Sequence, residues 1–235
     1  ERRRFLDEAV VAAHPRHDAL RVEVERVLRQ RGALLKQCGG RLDSSAAATL
    51  DVWDHKLAQV GEQLVAARLA LLGDLAPVVT RAYGQVAGTE ASLSLIYERS
   101  WPGPLAAALA AARRDDVRRG TTGVGPHRDD LALGIDGLAA RTHASRGEQR
   151  SFALALRLGL HQLITTLSGV APVLLLDDVF SELDDDRSEA LLAHLPTGQA
   201  LLTTAGPLPP AAAPQARIRV HQGRVELAGQ RIGRE

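Results

Sequence analysis

The sequence predicts an α/β fold with a mainly helical arm in front of a C-terminal part built on a parallel-sheet core. Three observations carry that expectation. The stretch Val173 to Asp186 (VLLLDDVFSELDDD) runs four apolar residues straight into two adjacent carboxylates, Asp177 and Asp178. An unbroken apolar run of that length reads as a strand buried on both faces, as in a parallel sheet. Positions 1 to 75 instead carry apolar residues at helical spacing. From Thr121 onward strands and helices alternate, the order of an α/β layer. The division expected is a helical arm over 1–118 and an α/β part over 119–235.

The elements follow in order. Phe5, Val10 and Val11 mark a first helix that Pro15 interrupts. Leu20, Val24, Val27, Leu28, Leu34 and Leu35 recur at helix spacing up to Lys36, and Gly39-Gly40 stops the run. A second long helix is expected from Ser45 to Leu75, with Leu50, Trp53, Leu57, Leu64, Ala67 and Leu71 on one face. The two long helices read as an antiparallel arm, and Pro77 as the start of a third helix over Val78 to Val86. Ala91 to Tyr97 alternates and reads as a strand. Leu105 to Val117 is alanine-rich and helical. Leu131, Leu133 and Ile135 form an alternating strand that turns at Asp136-Gly137. A helix from Gly147 to Leu167 precedes the acid-bearing strand. Asp184 to Leu195 is a helix, Ala200 to Thr204 a strand, and Ile218 to Leu227 a hairpin about Gln222-Gly223. No internal repeat is visible.

Bulk composition limits the function classes. The 235 residues are 45% hydrophobic and 24% charged, ordinary for a globular protein. A formal net charge of +1 gives no global pull toward nucleic acid, so any such contact must be a local patch. Aromatics at 3% make base stacking a poor means of holding single strands. One cysteine, Cys38, allows no intramolecular disulfide and fits a reducing, cytoplasmic location. No continuous apolar run approaches a membrane span of about 20 residues. The chain lacks methionine and starts at Glu1, so it is expected to begin inside a longer protein.

The acids come at the C-terminal end of their strand, where open α/β sheets bind ligands. One carboxylate can hold Mg²⁺ and its neighbour can orient or deprotonate a water, the chemistry of a Walker B motif. A strand that merely hands over to a helix capped by Asp184 is the bland alternative. A phosphate loop needs Gly-Lys-Ser/Thr after a glycine-rich turn. Lys36 follows Leu35, Lys56 follows His55, and the Gly120–Gly123–Gly125 cluster has no lysine, so the partner half of a nucleotide site is expected upstream of Glu1. Ser145 with Glu148 three residues on is a capping box, and a serine, a glycine and free amides at a helix start also make an anion site. The basic cluster Arg113, Arg114, Arg118 and Arg119 either complements the helix dipole or contacts DNA phosphates. His127 reads as a hydrogen-bonded turn residue.

Taken together, ASRGEQR (Ala144 to Arg150), VLLLDDVFSELDDDR, QALLTTA (Gln199 to Ala205) and GPHRDDL (Gly125 to Leu131) resemble the C-terminal part of the RecF family. RRRFLDE near the start and ERVLRQRGALLK, Glu25 to Lys36, extend the resemblance over essentially the whole chain. These are bacterial recombination mediators of the SMC/ABC-type ATPase class. The resemblance implies an ABC-type ATPase head with an inserted helical arm, and ATP and Mg²⁺ as cofactors. Asp177 would bind Mg²⁺, and Asp178 would be the catalytic carboxylate, where many relatives carry Glu. Ser145, Gly147, Glu148 and Gln149 would be the signature that meets the γ-phosphate on another protomer. Ser181, Glu182, Leu183 and Asp184 would be the D-loop. Thr204 falls near a switch position that often holds His. The partners implied are double-stranded or gapped DNA, RecR, RecO and a second copy joined by ATP, with no membrane. A truncated, non-hydrolysing adaptor is the other reading; a different SMC-like head is disfavoured because the arm is too short for a long coiled coil.

Overall fold

The structure is a computed structural model that describes residues 1–228, with only the backbone of Glu182 and Ala228. Helix α1 spans Arg2–Ala13, and a single 3₁₀ turn at Pro15–His17 re-aims the chain into α2, Asp18–Gln37. Pro15 sits where a helix start tolerates it, since its missing N–H would be unpaired there anyway. Helix α3 follows as one rod, Ser44–Ala87, with Asp43 accepting from the Ala46 amide (2.7 Å) and Gly88 closing it at φ 65°.

Pro77 lies inside α3, so the expected break into two helices does not occur. Its ring is on the exposed side. Leu71, Leu72 and Leu75 before it, and Val78, Val79, Ala82, Tyr83 and Val86 after it, are all buried. Continuous burial on both sides outweighs the one helical hydrogen bond that proline removes. Among the described residues α3 is long and apolar enough to cross a bilayer by length and composition, yet it is a packed core helix that carries the buried ion-paired Arg68.

Strand β1, Leu93–Glu98, pairs antiparallel with β2, Asp130–Ile135, from Leu93↔Ile135 to Glu98↔Asp130. Between them lies α4, Leu105–Arg119, ended by Gly120 at φ 65°. The Asp136-Gly137 turn leads into a short β3, Leu138–Ala139, then α5, Ala140–His143, and α6, Arg146–Ser168. Strand β4, Leu174–Leu176, pairs parallel with β5, Ala200–Leu202, across α7, Asp185–Ala193. The described residues end with the hairpin β6, Arg217–His221, and β7, Arg224–Ala228.

The parallel core among the described residues is therefore two strands wide. The acid-bearing strand is buried on one face only: Leu174 and Leu176 are buried, whereas Val173 and Leu175 are 50% and 69% exposed. That corrects the expectation of burial on both faces. An apolar run reports the environment a strand is made for, and here nothing described covers its outer face.

Two cores share α3. The larger joins α1, the C-terminal half of α3, the β1–β2 and β4–β5 sheets, α6 and α7, with Leu6, Val10, Leu75, Val79, Leu131, Phe152, Ala155 and Leu176 at its centre. The second joins α2, the N-terminal half of α3 and α4 through Val24, Val27, Leu57, Val65, Trp101 and Leu105. Gly159 allows α6 to lie directly on α3, since a Cβ there would sit 2.9 Å from the Val79 side chain and 3.2 Å from its backbone.

Candidate functional site

Helix α6 is followed within a few residues by β4 and packs in the same core, so the two run in opposite directions. His161 fixes the crossing with a 2.7 Å hydrogen bond from Nε2 to the Pro172 carbonyl. The N-terminus of α6 and the acid-bearing end of β4 therefore face the same end of the molecule.

At that end Asp177 and Asp178 are exposed. Asp178 adopts the left-handed region, φ 48° and ψ 30°, and its amide donates to both the Thr203 carbonyl (3.2 Å) and Thr203 Oγ1 (3.0 Å). Aspartate is one of the few side chains that tolerates this conformation. Thr203 Oγ1 in turn donates to Asp177 Oδ1. One threonine thus fixes the backbone of one acid and the carboxylate of the other. The Asp178 carbonyl accepts from Ser181 Oγ at 2.8 Å, which starts a 3₁₀ turn over Val179–Glu182. Thr204, expected near a switch position, hydrogen-bonds within its own loop to Gly206. Strand β5 ends at Leu202, so side-chain alternation does not extend to the two threonines.

The start of α6 is built as the capping box expected. Ser145 Oγ accepts from the Glu148 amide at 3.2 Å and the Ser145 amide donates back to Glu148 Oε2 at 2.7 Å. These hydrogen bonds from Ser145 hold the Glu148 carboxyl below its usual range, with the Arg187 charge adding to the effect. Gln149 turns its amide back onto the Ala144 carbonyl at 2.9 Å. Gly147 is covered by a residue that sequence reasoning missed: a Cβ there would lie 3.0 Å from Arg187 Nη1 and 3.3 Å from its Cζ. Arg187 also donates to Asp184 from its amide (2.9 Å) and from Nη1 (2.5 Å). The segment Ser181 to Asp184 is thereby tied to the start of α6, with the Glu182 side chain outside the described residues. Only the arginine three residues past Asp184, an i,i+3 spacing, could have signalled this contact.

Two adjacent carboxylates, one oriented by a hydroxyl, offer the hard oxygen donors that Mg²⁺ takes while leaving its other positions to water and phosphate. The donor set fits that ion, and Asp177 and Asp178 would hold it. When bound, it would neutralise charge on phosphate oxygens. No group of three or more His, Cys, Asp or Glu is gathered into a closed cage among the described residues.

The arginines on α4 divide. Arg113 spans to α3, donating to Asp54 at 2.7 Å and to Asp51. Arg118 pairs with Asp115 at 2.8 Å on its own helix, and Arg114, Arg118 and Arg119 are exposed. Arg113 is thus occupied as a helix-to-helix tie.

The segment Gly125 to Leu131 gains a structural role. Asp129 is 2% exposed and accepts from the Ser100 amide at 2.8 Å and from the Tyr97 hydroxyl. Arg68 donates to that hydroxyl and to the Pro126 carbonyl, each at 2.8 Å, and to Asp7 at 2.6 Å. The loop is pinned to α1, α3 and β1 by one buried network. His127 Nε2 lies 3.2 Å from the Thr122 carbonyl, the hydrogen-bonded turn role expected. Burial lowers its pKa from the usual imidazole value.

Two clefts meet at His127. One, of about 740 Å³, lies between α1, α2 and α3 and carries both charge signs. The other, of about 480 Å³, lies between α2 and the 120–128 loop and is lined by Arg29, Lys36 and Arg128 with no carboxylate.

No family model matches the chain. It is 45% identical over 221 residues to the DNA replication and repair protein RecF of Streptomyces avermitilis, and 44% identical over 222 residues to that of Frankia alni. Each match covers 87% of this chain and 58% of the relative, so the chain spans a little over half the length of these proteins. A solved structure of the recombination mediator protein RecF with ATP, from the RecFOR pathway, superposes with a TM-score of 0.84 at 26% identity. That superposition covers 97% of this chain and 62% of the other.

Proposed function

Because this chain belongs to the RecF family and corresponds to the C-terminal part of its members, we propose that it supplies the carboxylate and signature half of an ATP-dependent, DNA-binding clamp of replication and repair. Asp177 binds Mg²⁺. Asp178 polarises the attacking water. Ser145, Gly147 and Glu148 present the α6 N-terminus to the γ-phosphate of ATP seated on another protomer. Triphosphate carries dense negative charge, and a metal on one subunit with a helix N-terminus on the other neutralises it jointly. ATP then joins the subunits, and hydrolysis releases them. Duplex or gapped DNA, RecO and RecR are the partners of such a clamp. The helical arm of α2, α3 and α4 forms its outer wall.

The observation that carries the reading is the shared end: Asp177 and Asp178 are fixed by Thr203, while Arg187, bonded to Asp184, lies against Gly147. The test mixes the 235-residue chain with full-length Streptomyces avermitilis RecF. Light scattering should show a mixed dimer with a slowly hydrolysed ATP analogue and none without nucleotide. Gly147→Arg in the chain should abolish it. A mixed dimer equally abundant without nucleotide, or untouched by Gly147→Arg, would rule the reading out. The chain alone, having no phosphate-loop lysine, should not hydrolyse ATP.

A further inference from the structure

The 480 Å³ cleft is assembled from α2 and from the loop between α4 and β2. No acid occurs in the sequence between Glu25 and Asp43, a span that includes Arg26, Arg29, Arg31, Lys36 and Arg41. Arg26 is matched by Glu23, and Arg31 is buried against Asp54 and Asp116. Arg29 and Lys36 are exposed and have no carboxylate partner among the described residues. The Lys36 stem lies along Gly120, whose Cβ would be 3.7 Å from its Cγ, and Lys36 lines the cleft.

The loop brings a third cation and turns its own acids away. In His127-Arg128-Asp129-Asp130, Asp129 is buried against Tyr97 and Ser100, and Asp130 is paired with Arg2. Arg128 is left exposed at the cleft. The loop is also rigid before any ligand arrives. Asp116 accepts from the Gly123 amide and from Arg31, and Arg31 donates to Thr122 Oγ1, each at 2.8 Å. The Thr122 carbonyl accepts from Arg128 Nη2 at 3.3 Å, which orients that guanidinium. Three cations around a concave, preformed, carboxylate-free surface suit an anion with several oxygens.

We propose that this cleft seats backbone phosphates of duplex DNA, so that the grip on DNA lies on α2 and the 120–128 loop rather than on the body of α4. A free polyphosphate offers the same oxygens. The backbone is favoured because exposed Arg119 continues positive charge past Gly120, beyond what one small anion reaches, whereas Arg118 is paired with Asp115. The inference rests on the DNA-binding part of the reading above, but its test needs neither ATP nor a second protomer.

Fluorescence anisotropy of a labelled duplex of about 20 base pairs with the whole chain, titrated from about 50 mM salt upward, reads both affinity and salt slope. Arg29→Gln/Lys36→Gln should weaken binding at least about tenfold and flatten the slope by about two, and Arg128→Gln by about one. Lys36→Arg should bind like the parent, and so should Arg114→Gln, which lies outside the cleft. All these side chains are exposed, so thermal melts should coincide. Three results would each overturn the proposal: cleft variants that bind like the parent, no duplex binding by the parent at the lowest salt, or pyrophosphate held at the cleft more tightly than the duplex at equal ionic strength. If the ATP-dependent mixed dimer still forms, only the DNA seat fails.

Discussion

Residue-scale chemistry at the strand end depends on which atoms are already committed. The Asp178 backbone is held by Thr203 and Ser181, whereas the Asp177 carboxylate takes the Thr203 hydroxyl. The two acids are therefore separable by mutation. With the chain joined to a phosphate-loop segment, Asp178→Asn should preserve ATP-driven association and slow hydrolysis at least about 100-fold, the scale of a lost general base. Failure to associate with ATP would remove Asp178 from the role given to it. A second expectation concerns His127. Its folded pKa lies below the ordinary value of 6.5, so the unfolded chain binds the proton first. Stability from this residue is fully present above about pH 6.5 and is lost as pH falls through the folded pKa. Urea midpoints should drop on acidification through that window, and His127→Gln should flatten the drop. The strand-end position of Asp177 and Asp178 and the capping role of Ser145 were legible because both are encoded locally. Thr203 and Arg187 were not: each acts through a fold-made neighbour that no spacing rule encodes.

Element-scale features show where local rules yield to packing. Pro77 reads as a break and is absorbed because burial continues on both sides of it. Since its ring is exposed, Pro77→Ala should restore a helical hydrogen bond and raise stability by about 1–3 kcal/mol in urea melts. Gly159 is the converse case, a residue of low helix propensity kept by contact. Gly159→Val would press on the Val79 backbone and should cost about 1–3 kcal/mol by overpacking. The buried Arg31 ties α2 to α3 through Asp54, to α4 through Asp116 and to the loop through Thr122. Asp116→Ala should cost about 3–5 kcal/mol, because it leaves that guanidinium buried and short of a partner. A loss under about 1 kcal/mol would mean that Arg31 finds other partners. Helix positions were readable because their period is written locally. The partners of Arg31 and Arg68, which lie 23 to 91 residues away or arise from loops, are set by topology alone.

At the scale of the whole molecule, two apolar surfaces stand open among the described residues. Val173, Leu175 and Leu201 form one on the parallel pair, and Ile218, Val220, Val225 and Leu227 form another on one side of the terminal hairpin. Exposed faces of this kind drive association, so the chain should self-associate with rising concentration. Leu175→Thr with Leu201→Thr should reduce that in sedimentation; unchanged association would place the contact elsewhere. The larger consequence belongs to α3. Its C-terminal half lies in the core that holds the acids, and its N-terminal half carries the wall of the basic cleft. From Val79 back to Ser44 the rod is about 50 Å long at 1.5 Å per residue, so a tilt of about 5° at the acid-bearing end sweeps its tip by about 5 Å. A small motion beside the acids thus becomes a large one at the far end, as in a lever with its fulcrum at Gly159.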